Sequence, residues 1–205
     1  MLLFRPFEPR DLAALHAISL ATGHAGGDAS HLYEDGHLVG HIYSAPYASL
    51  QADLAFVVED EDGVGGFVVG TIDTVLWENR LEQVWWPSLR RRYAYPSSAP
   101  EAWTTDERRH AMIHHPEHAP ADVVRDYPAH VHLNLLPRLQ HRGVGVRLLA
   151  VWLELASARD AKGIHVGVNH ANAAALIFWK RQGFLPLATA SETSRTIWMG
   201  RRITG

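Results

Sequence analysis

Residues 133–145 read LNLLPRLQHRGVG and join a predicted strand to a predicted helix. The apolar run from Val131 to Leu136 predicts a buried strand, Pro137 interrupts it, and Gly143 and Gly145 open an amphipathic helix. The first N–H groups of a helix lack partners within the helix and carry partial positive charge. Glycines at that point let an anion approach the backbone, so this stretch predicts a phosphate-binding turn.

Regular elements flank the turn on both sides. The hydrophobic pattern predicts strands at residues 2–7, 54–58, 66–72, 131–136, 164–168, 184–188 and 196–201, and helices that include 143–161 and 172–182. Residues 54–72 are typical of an antiparallel hairpin, whereas the later strands alternate with helices. The sequence therefore predicts an α/β fold, a mixed central sheet of about seven strands with helices on both faces. Gly163 and Gly183 are expected to end the two helices.

Residues 76–128 interrupt this order between the third and fourth strands, where they predict a helical insert. Thr104 and Glu107 have the spacing of a capping box, so a helix is expected to begin there. The insert is rich in aromatic residues that could line a pocket or simply pack as core. These residues are Trp77, Trp85, Trp86, Tyr93, Tyr95 and Tyr127.

Composition narrows the class of protein. We expect a single domain over the 205 residues, whose formal net charge of −3 argues against nucleic acid as a partner. Cysteine is absent, which excludes disulfides, thiolate metal sites and a cysteine nucleophile. No apolar run approaches the ~20 residues that span a bilayer, so no membrane partner is expected. The sequence begins without a signal-peptide pattern, and the expected location is cytoplasmic.

Two motifs indicate a family. Residues 140–145, QHRGVG, resemble the Q/R-x-x-G-x-G/A signature of the GNAT superfamily of acyl-CoA-dependent N-acetyltransferases, and residues 172–184, NAAALIFWKRQGF, resemble its second motif. A narrower resemblance covers nearly the whole chain, including residues 56–73 and 104–128. It is to the acetyltransferase-like C-terminal domain of O-GlcNAc hydrolases and its free-standing bacterial relatives. This resemblance implies the GNAT fold and binding of acetyl-CoA, and it does not imply glycosidase activity.

The resemblance also assigns residues to acetyl-CoA. The glycine turn would hold the pyrophosphate, and backbone groups of a splayed strand would pair with the pantetheine arm, which Asn172 would also bind. An alternative for the turn is a helix N-terminus that needs small residues for packing, and for Asn172 a helix N-cap. The cofactor-binding residues implied are Leu133, Leu135, Gln140, His141, Arg142, Gly143, Val144, Gly145, Asn172, Ala175, Phe178 and Trp179.

Acetyl transfer to an amine requires that the amine lose a proton, so a base is expected in the site. The candidates are His132, whose ordinary pKa is closest to neutrality, and Asp73 at the end of a strand. Asn134 shares a strand face with His132 and could orient the substrate. Structural hydrogen bonding is the alternative for each of the three.

Three functional hypotheses remain open from the sequence. The first is an acetyl-CoA-dependent N-acetyltransferase acting on an unidentified amine by direct attack on the thioester. The second is a non-catalytic acetyl-CoA-binding module, favoured by Trp179, which stands where many GNAT enzymes have a tyrosine that acts as general acid. The third, a metal site, rests on His110, His114, His115 and His118; we expect surface histidines there and no metal. A homodimer is compatible with the sequence.

Overall fold

The computed structural model describes residues 1–188 and 195–203, and within them seven strands form one sheet. The strands are β1 (Leu3–Pro6), β2 (Phe56–Asp60), β3 (Gly63–Thr71), β4 (Ala129–Leu135), β5 (Gly163–Asn169), β6 (Leu185–Pro186) and β7 (Thr196–Arg202). Their order across the sheet is β1-β2-β3-β4-β5-β7-β6. The β4–β5 pair is parallel and all other pairs are antiparallel, which confirms the mixed sheet predicted from the sequence.

Helices cover both faces of this sheet. They are α1 (Leu12–Ala21), α2 (Leu38–Tyr43), α3 (Ala45–Leu50), α4 (Thr74–Val84), α5 (Trp86–Arg92), α6 (Thr105–His114), α7 (Ala121–Asp126), α8 (Val144–Ser157) and α9 (Ala173–Arg181). Helices α4 to α7 form the insert expected between the third and fourth strands. The capping box at the start of α6 is confirmed, because Thr104 and Glu107 each accept a hydrogen bond from the other's backbone N–H.

The alternation of side chains along β3 divides the interior into two cores. Val68 faces a core that includes Trp152 of α8, whereas Phe67 and Val69 face a core that includes Leu15 of α1. All five side chains are at most 1% exposed. The sheet is therefore buried on both sides, as predicted for helices on both faces.

Strands β4 and β5 separate soon after they meet. They pair only at Ala129 with Ile164 and at His130 with His165, although β5 continues beside β7 to Asn169. From Val131 onward, the edge of β4 that faces β5 is no longer paired to it. This splay was expected by family resemblance, and it opens the sheet to a ligand.

The ends of the two helices after β4 differ from one another. Gly183 follows α9 with φ +80°, and Phe184 N–H donates to Trp179 O at 3.1 Å, so the predicted glycine stop is confirmed. The prediction that the preceding helix extends to Ala161 and is ended by Gly163 is wrong. Helix α8 ends at Ser157, and Gly163 is the first residue of β5, where a Cβ would lie 2.9 Å from Asp126 O. The described part of the chain has no helix long and apolar enough to span a membrane.

Candidate active site

A cleft of about 900 Å³ opens where β4 and β5 separate. The splayed strands form its floor, helices α1 to α3 form one wall, and the insert α4 to α7 forms the other. Polar side chains reach it from every wall. They include Thr22, Tyr43, Tyr47, Thr74, Glu78, Arg109, Glu117, Asp122, His130, His132, Asn134, His165 and Asn172.

Two histidines on β4 share one tyrosine at the centre of this cleft. His130 and His132 are two residues apart, so both point to the same face of the sheet. The hydroxyl of Tyr47, on α3, lies 2.7 Å from His130 Nε2 and 3.2 Å from His132 Nε2. On its other side, His130 Nδ1 lies 2.7 Å from Thr74 Oγ1. The result is a continuous chain of hydrogen bonds from His132 to the start of α4.

Burial keeps these imidazoles neutral. It lowers the pKa of His132 to about 4, with a smaller contribution from the charge on His165. It holds the pKa of His130 well below the ordinary value of 6.5, with His165 and His132 adding to the effect. At neutral pH, therefore, each ring has one N–H group and one nitrogen with a lone pair that can accept a hydrogen bond.

Neutral rings allow the hydrogens to be assigned. Thr74 has a single hydroxyl hydrogen and donates it to Pro128 O at 2.7 Å, so its oxygen must accept from His130 Nδ1–H. His130 Nε2 is then an acceptor, and Tyr47 donates its hydroxyl hydrogen to it. The Tyr47 oxygen in turn accepts from His132 Nε2–H. This leaves His132 Nδ1 as a base, because Nε2 makes the one hydrogen bond that His132 has to protein within the residues described.

The other two residues predicted for catalysis have structural hydrogen bonds. Asn134 lines the cleft beside His132, and its Nδ2 donates to Thr22 Oγ1 at 2.7 Å. Asp73 is the N-cap of α4, where its carboxylate accepts from Leu76 N–H at 2.9 Å. Asp73 is not among the residues that line the cleft, so the structure does not place it beside His132.

The glycine turn forms the start of α8, outside the lining of the cleft. Gly143 is its N-cap in the left-handed conformation (φ +73°), and no atom lies within 4 Å of where its Cβ would be. That open space leaves room for an anion at the helix N-terminus. Gly145 is small for a different reason, because a Cβ there would lie 3.2 Å from the ring of Phe178. Gly143 thus fits the explanation of a phosphate-binding turn, whereas Gly145 fits the explanation that a small residue is needed for packing.

Neighbouring residues hold this turn in place. Gln140 folds back so that its Nε2 donates to Leu135 O at 2.8 Å, at the end of β4. Arg142 is exposed and donates to Arg138 O, and His141 adopts φ +57°. Val144 is buried in the core, against which the side chains of Leu133 and Leu135 also pack. The backbone groups of Leu133 and Leu135 have no partner in β5 and are available to a ligand at the splay, except that Leu135 O already accepts from Gln140.

In the second motif, the asparagine and the tryptophan have separate positions. Asn172 lines the cleft, and its Oδ1 also accepts from Ala175 N–H at 3.0 Å as the N-cap of α9. Trp179 is only 6% exposed, and its ring centroid lies 4.9 Å from that of Phe184. This contact accompanies the glycine-terminated end of α9. Trp179 therefore packs in the core and does not line the cleft.

The aromatic residues predicted to line a pocket lie in different environments. Trp77 and Trp86 are buried and line the cleft, whereas Trp85 and Tyr93 pack into the core beneath α1 and Tyr95 is exposed. Tyr127 packs against Gly163 and Gly200.

The histidines of the insert are held by ordinary contacts. His110 stacks on Tyr93 with ring centroids 5.0 Å apart, and His114 Nε2 donates to Tyr93 O at 2.8 Å. His118 Nδ1 lies 2.8 Å from Glu78 Oε2. Within residues 1–188 and 195–203, no group of three or more His, Asp or Glu side chains is arranged to hold a metal ion.

Sequence reasoning did not identify Tyr47, Thr74 and His130 as site residues. His130 could have been found, because it alternates with His132 along one strand. Tyr47 lies in a six-residue helix that begins with Ala45 and Pro46, and no sequence pattern connects it to a strand more than 80 residues away.

Comparisons with known proteins find structures with the same fold. A solved structure named SsHAT aligns over 100% of this chain and 99% of its own, with 33% identity and a TM-score of 0.91. Two more distant structures share the fold: yncA of Salmonella typhimurium with its cofactor acetyl-CoA (15% identity, TM-score 0.57), and the PaiA N-acetyltransferase of Thermoplasma acidophilum in complex with coenzyme A (12%, 0.58). The alignments cover 100% and 98% of this chain, and 95% and 99% of those two chains.

Among curated proteins, the chain is similar to Protein O-GlcNAcase of Rattus norvegicus and of Mus musculus. Each is 22% identical over 193 residues, which is 90% of this chain. The chain spans about a fifth (20%) of the length of these relatives. No protein-family model matches the sequence.

Proposed function

The chain belongs to the GNAT superfamily of acetyltransferases, and we propose that it transfers the acetyl group of acetyl-CoA to an amine bound in the cleft. The observation that carries this proposal is the free Nδ1 of His132, a neutral base beside the splay of β4 and β5. Transfer to nitrogen requires such a base, because the amine must lose a proton.

Several groups of the chain could bind acetyl-CoA. When bound, this cofactor supplies an activated thioester carbonyl. The unpaired edge of β4 around Leu133 and Leu135 presents backbone groups to the pantetheine arm. The N-terminus of α8 presents N–H groups and the open space at Gly143 to the pyrophosphate. Asn172 lines the cleft and could bind the pantetheine arm there.

His132 would take the proton that the acceptor nitrogen loses as its bond to the acetyl carbon forms and the bond to sulfur breaks. A pKa of about 4 means that His132 is unprotonated at pH 7 and ready to accept. It is a weak base, but the attacking nitrogen becomes strongly acidic as it bonds to carbon, so a weak base suffices. The new charge on His132 would be stabilised by Tyr47, which accepts from Nε2–H.

Replacing His132 tests this assignment. We expect His132→Gln to lower kcat for thiol release at least about 100-fold, while the Kd for acetyl-CoA, measured by calorimetry, stays within about twofold of the wild type. His31→Gln, at an exposed histidine, serves as the matched control and should behave as the wild type. An unchanged kcat in His132→Gln would rule out this base, and failure of the wild type to bind acetyl-CoA would refute the proposal.

A second candidate function is supported by Trp179. Many GNAT enzymes have a tyrosine hydroxyl at this position, whereas Trp179 packs in the core against Phe184. A chain that binds acetyl-CoA without transferring its acetyl group would be a binding module. Calorimetric binding of acetyl-CoA, combined with no thiol release across a broad panel of amines, would favour this module over the enzyme.

A further inference from the structure

Arg109 has an unusual environment at the insert side of the cleft. It lies on α6, is partly buried and lines the cleft. Its Nε donates to Tyr33 Oη at 2.9 Å, and its Nη1 donates to Tyr43 Oη at 3.2 Å and approaches Met112 Sδ at 3.4 Å. Every one of these partners is neutral, and none of the carboxylates in the part of the chain described forms an ion pair with this guanidinium.

A guanidinium withdrawn from water without an anion is energetically unfavourable. Arginine remains charged at any physiological pH, so it cannot avoid the cost by losing its proton. Phenol oxygens satisfy part of its hydrogen-bonding capacity but do not balance its charge. The Nη2 group has no partner among the residues described, and it is available to an anion in the cleft. This arrangement favours a bound carboxylate, which arginine pairs with through two N–H groups.

Arg109 is also close to the base. The Tyr43 ring neighbours both groups, with its centroid 5.6 Å from Arg109 Cζ and 6.0 Å from the ring centroid of His132. Since Arg109 and His132 line the same cleft, one small molecule could place its amine at His132 and an anionic group at Arg109.

Three carboxylates of the insert also line the cleft. Glu78, Glu117 and Asp122 line the same cleft, and none of them lies within 4 Å of an Arg109 nitrogen. Glu78 contacts His118 instead, at 2.8 Å. These carboxylates suit a protonated amine, whereas Arg109 suits an anion, so the lining of the cleft is complementary to a molecule with both charges.

We propose that Arg109 binds a carboxylate of the acceptor, and that the acceptor is an amino acid or another amine that carries a carboxylate. This inference rests on the proposed function, because it identifies a substrate class for the same cleft. It assigns Arg109 to specificity and leaves the chemical step to His132.

Matched substrates test the inference. Thiol release is measured with amino acids and with their carboxamides, which keep the amine but lack the carboxylate. We expect a higher kcat/KM for the acids than for the carboxamides, and Arg109→Gln should reduce the ratio of these two kcat/KM values about 10- to 100-fold, mainly through the KM of the acids. Arg108→Gln, at the exposed neighbour on α6, is the control and should keep the preference. Equal kcat/KM for acids and carboxamides in the wild type would overturn the inference.

A binding measurement separates this inference from the proposed function. N-acetyl amino acids and N-acetyl amino carboxamides are titrated into the wild type, Arg109→Gln and Arg108→Gln, with calorimetric detection. Arg109-dependent binding of the acids supports the carboxylate site even if no thiol is released, a result that would count against the acetyltransferase alone. Absence of saturable binding of the acids overturns the inference whether or not amines are acetylated.

Discussion

Tyr47 has one hydroxyl hydrogen, and the position of that hydrogen determines the tautomers of two histidines. The hydroxyl donates to His130 and accepts from His132, so His132 keeps its hydrogen on Nε2 and presents Nδ1 to the cleft. The Tyr47 ring is 5% exposed and stacks on Trp77 with centroids 4.5 Å apart, which fixes the hydroxyl in place. A strand residue thus depends for its chemistry on a helix distant in sequence.

The tautomer of His132 can be observed directly. We expect nitrogen NMR of the wild type at pH 7 to show hydrogen on Nε2 of His132 and a bare Nδ1. In Tyr47→Phe, His132 loses its acceptor, and a mixture of tautomers should appear together with a loss of about 1–3 kcal/mol of stability.

Tyr95→Phe removes an exposed hydroxyl and is the control for this measurement. Hydrogen on Nδ1 of His132 in the wild type would contradict the hydrogen-bond chain. A Tyr47→Phe protein with an unchanged tautomer would show that another group fixes the ring.

At the level of single residues, the sequence predicted features that depend on strand alternation and intrinsic pKa. It did not predict features that depend on tertiary packing. His132 was predicted as a base because strand alternation and intrinsic pKa are local properties. Its lowered pKa and its partner Tyr47 depend on burial and on α3. Asp73 was predicted as a second candidate base because it ends a strand, and the structure places it as the N-cap of α4.

At the level of secondary-structure elements, helix termini show the same difference between features set by local sequence and features set by tertiary packing. Gly183 was predicted correctly because a glycine beyond a helical pattern supplies the left-handed conformation that ends it. Gly163 was not, because its small size serves a close approach to Asp126 and Tyr127 that no local pattern records. The splay of β4 from β5 followed from the family motifs and could not be derived from the periodicity of either strand.

The start of α8 provides a prediction at this level. Gly143→Trp places a side chain in open space at a left-handed position, so we expect a folded protein that is about 1–2 kcal/mol less stable. The indole would occupy the space assigned to the pyrophosphate, and calorimetry should detect no binding of acetyl-CoA.

Gly63→Trp is a closely matched control for this substitution. Gly63 also has a positive φ (+91°), nothing lies within 4 Å of its Cβ position, and it belongs to the β2–β3 hairpin. We expect a similar loss of stability with acetyl-CoA affinity retained. Retained affinity in Gly143→Trp would exclude the helix N-terminus as the phosphate site.

Over the whole molecule, burial lowers the pKa of several histidines together. His16, His41, His130, His132 and His165 are all shifted below 6.5, and for His41 and His132 the pKa falls to about 4. Between pH 6.5 and 4, the unfolded chain therefore binds more protons than the folded one. Stability must fall as the pH drops through this window, and the contributions of His41 and His132 level off below about pH 4.

Two carboxylates that are paired with arginines respond at lower pH. Asp11 and Asp60 have pKa values below 3.8, because Arg5 and Arg138 donate hydrogen bonds to them. Their stabilising contribution is complete above the unfolded pKa and is lost only as the pH falls further. A loss of stability that begins near pH 6 would consequently come from the histidines.

His41 allows this origin to be tested, because both of its ring nitrogens are enclosed without a hydrogen-bond partner in the part of the chain described. Phenylalanine keeps a ring beside His16 and Trp85 but cannot be protonated. We expect urea unfolding of His41→Phe to show a smaller loss of stability between pH 7.5 and pH 5 than the wild type shows, by an amount on the order of 1 kcal/mol. His31→Phe, at an exposed histidine, should follow the wild type. If His41→Phe instead loses as much stability as the wild type over this range, protonation of His41 does not contribute to acid unfolding, and the loss must come from His16 and the histidines of β4 and β5.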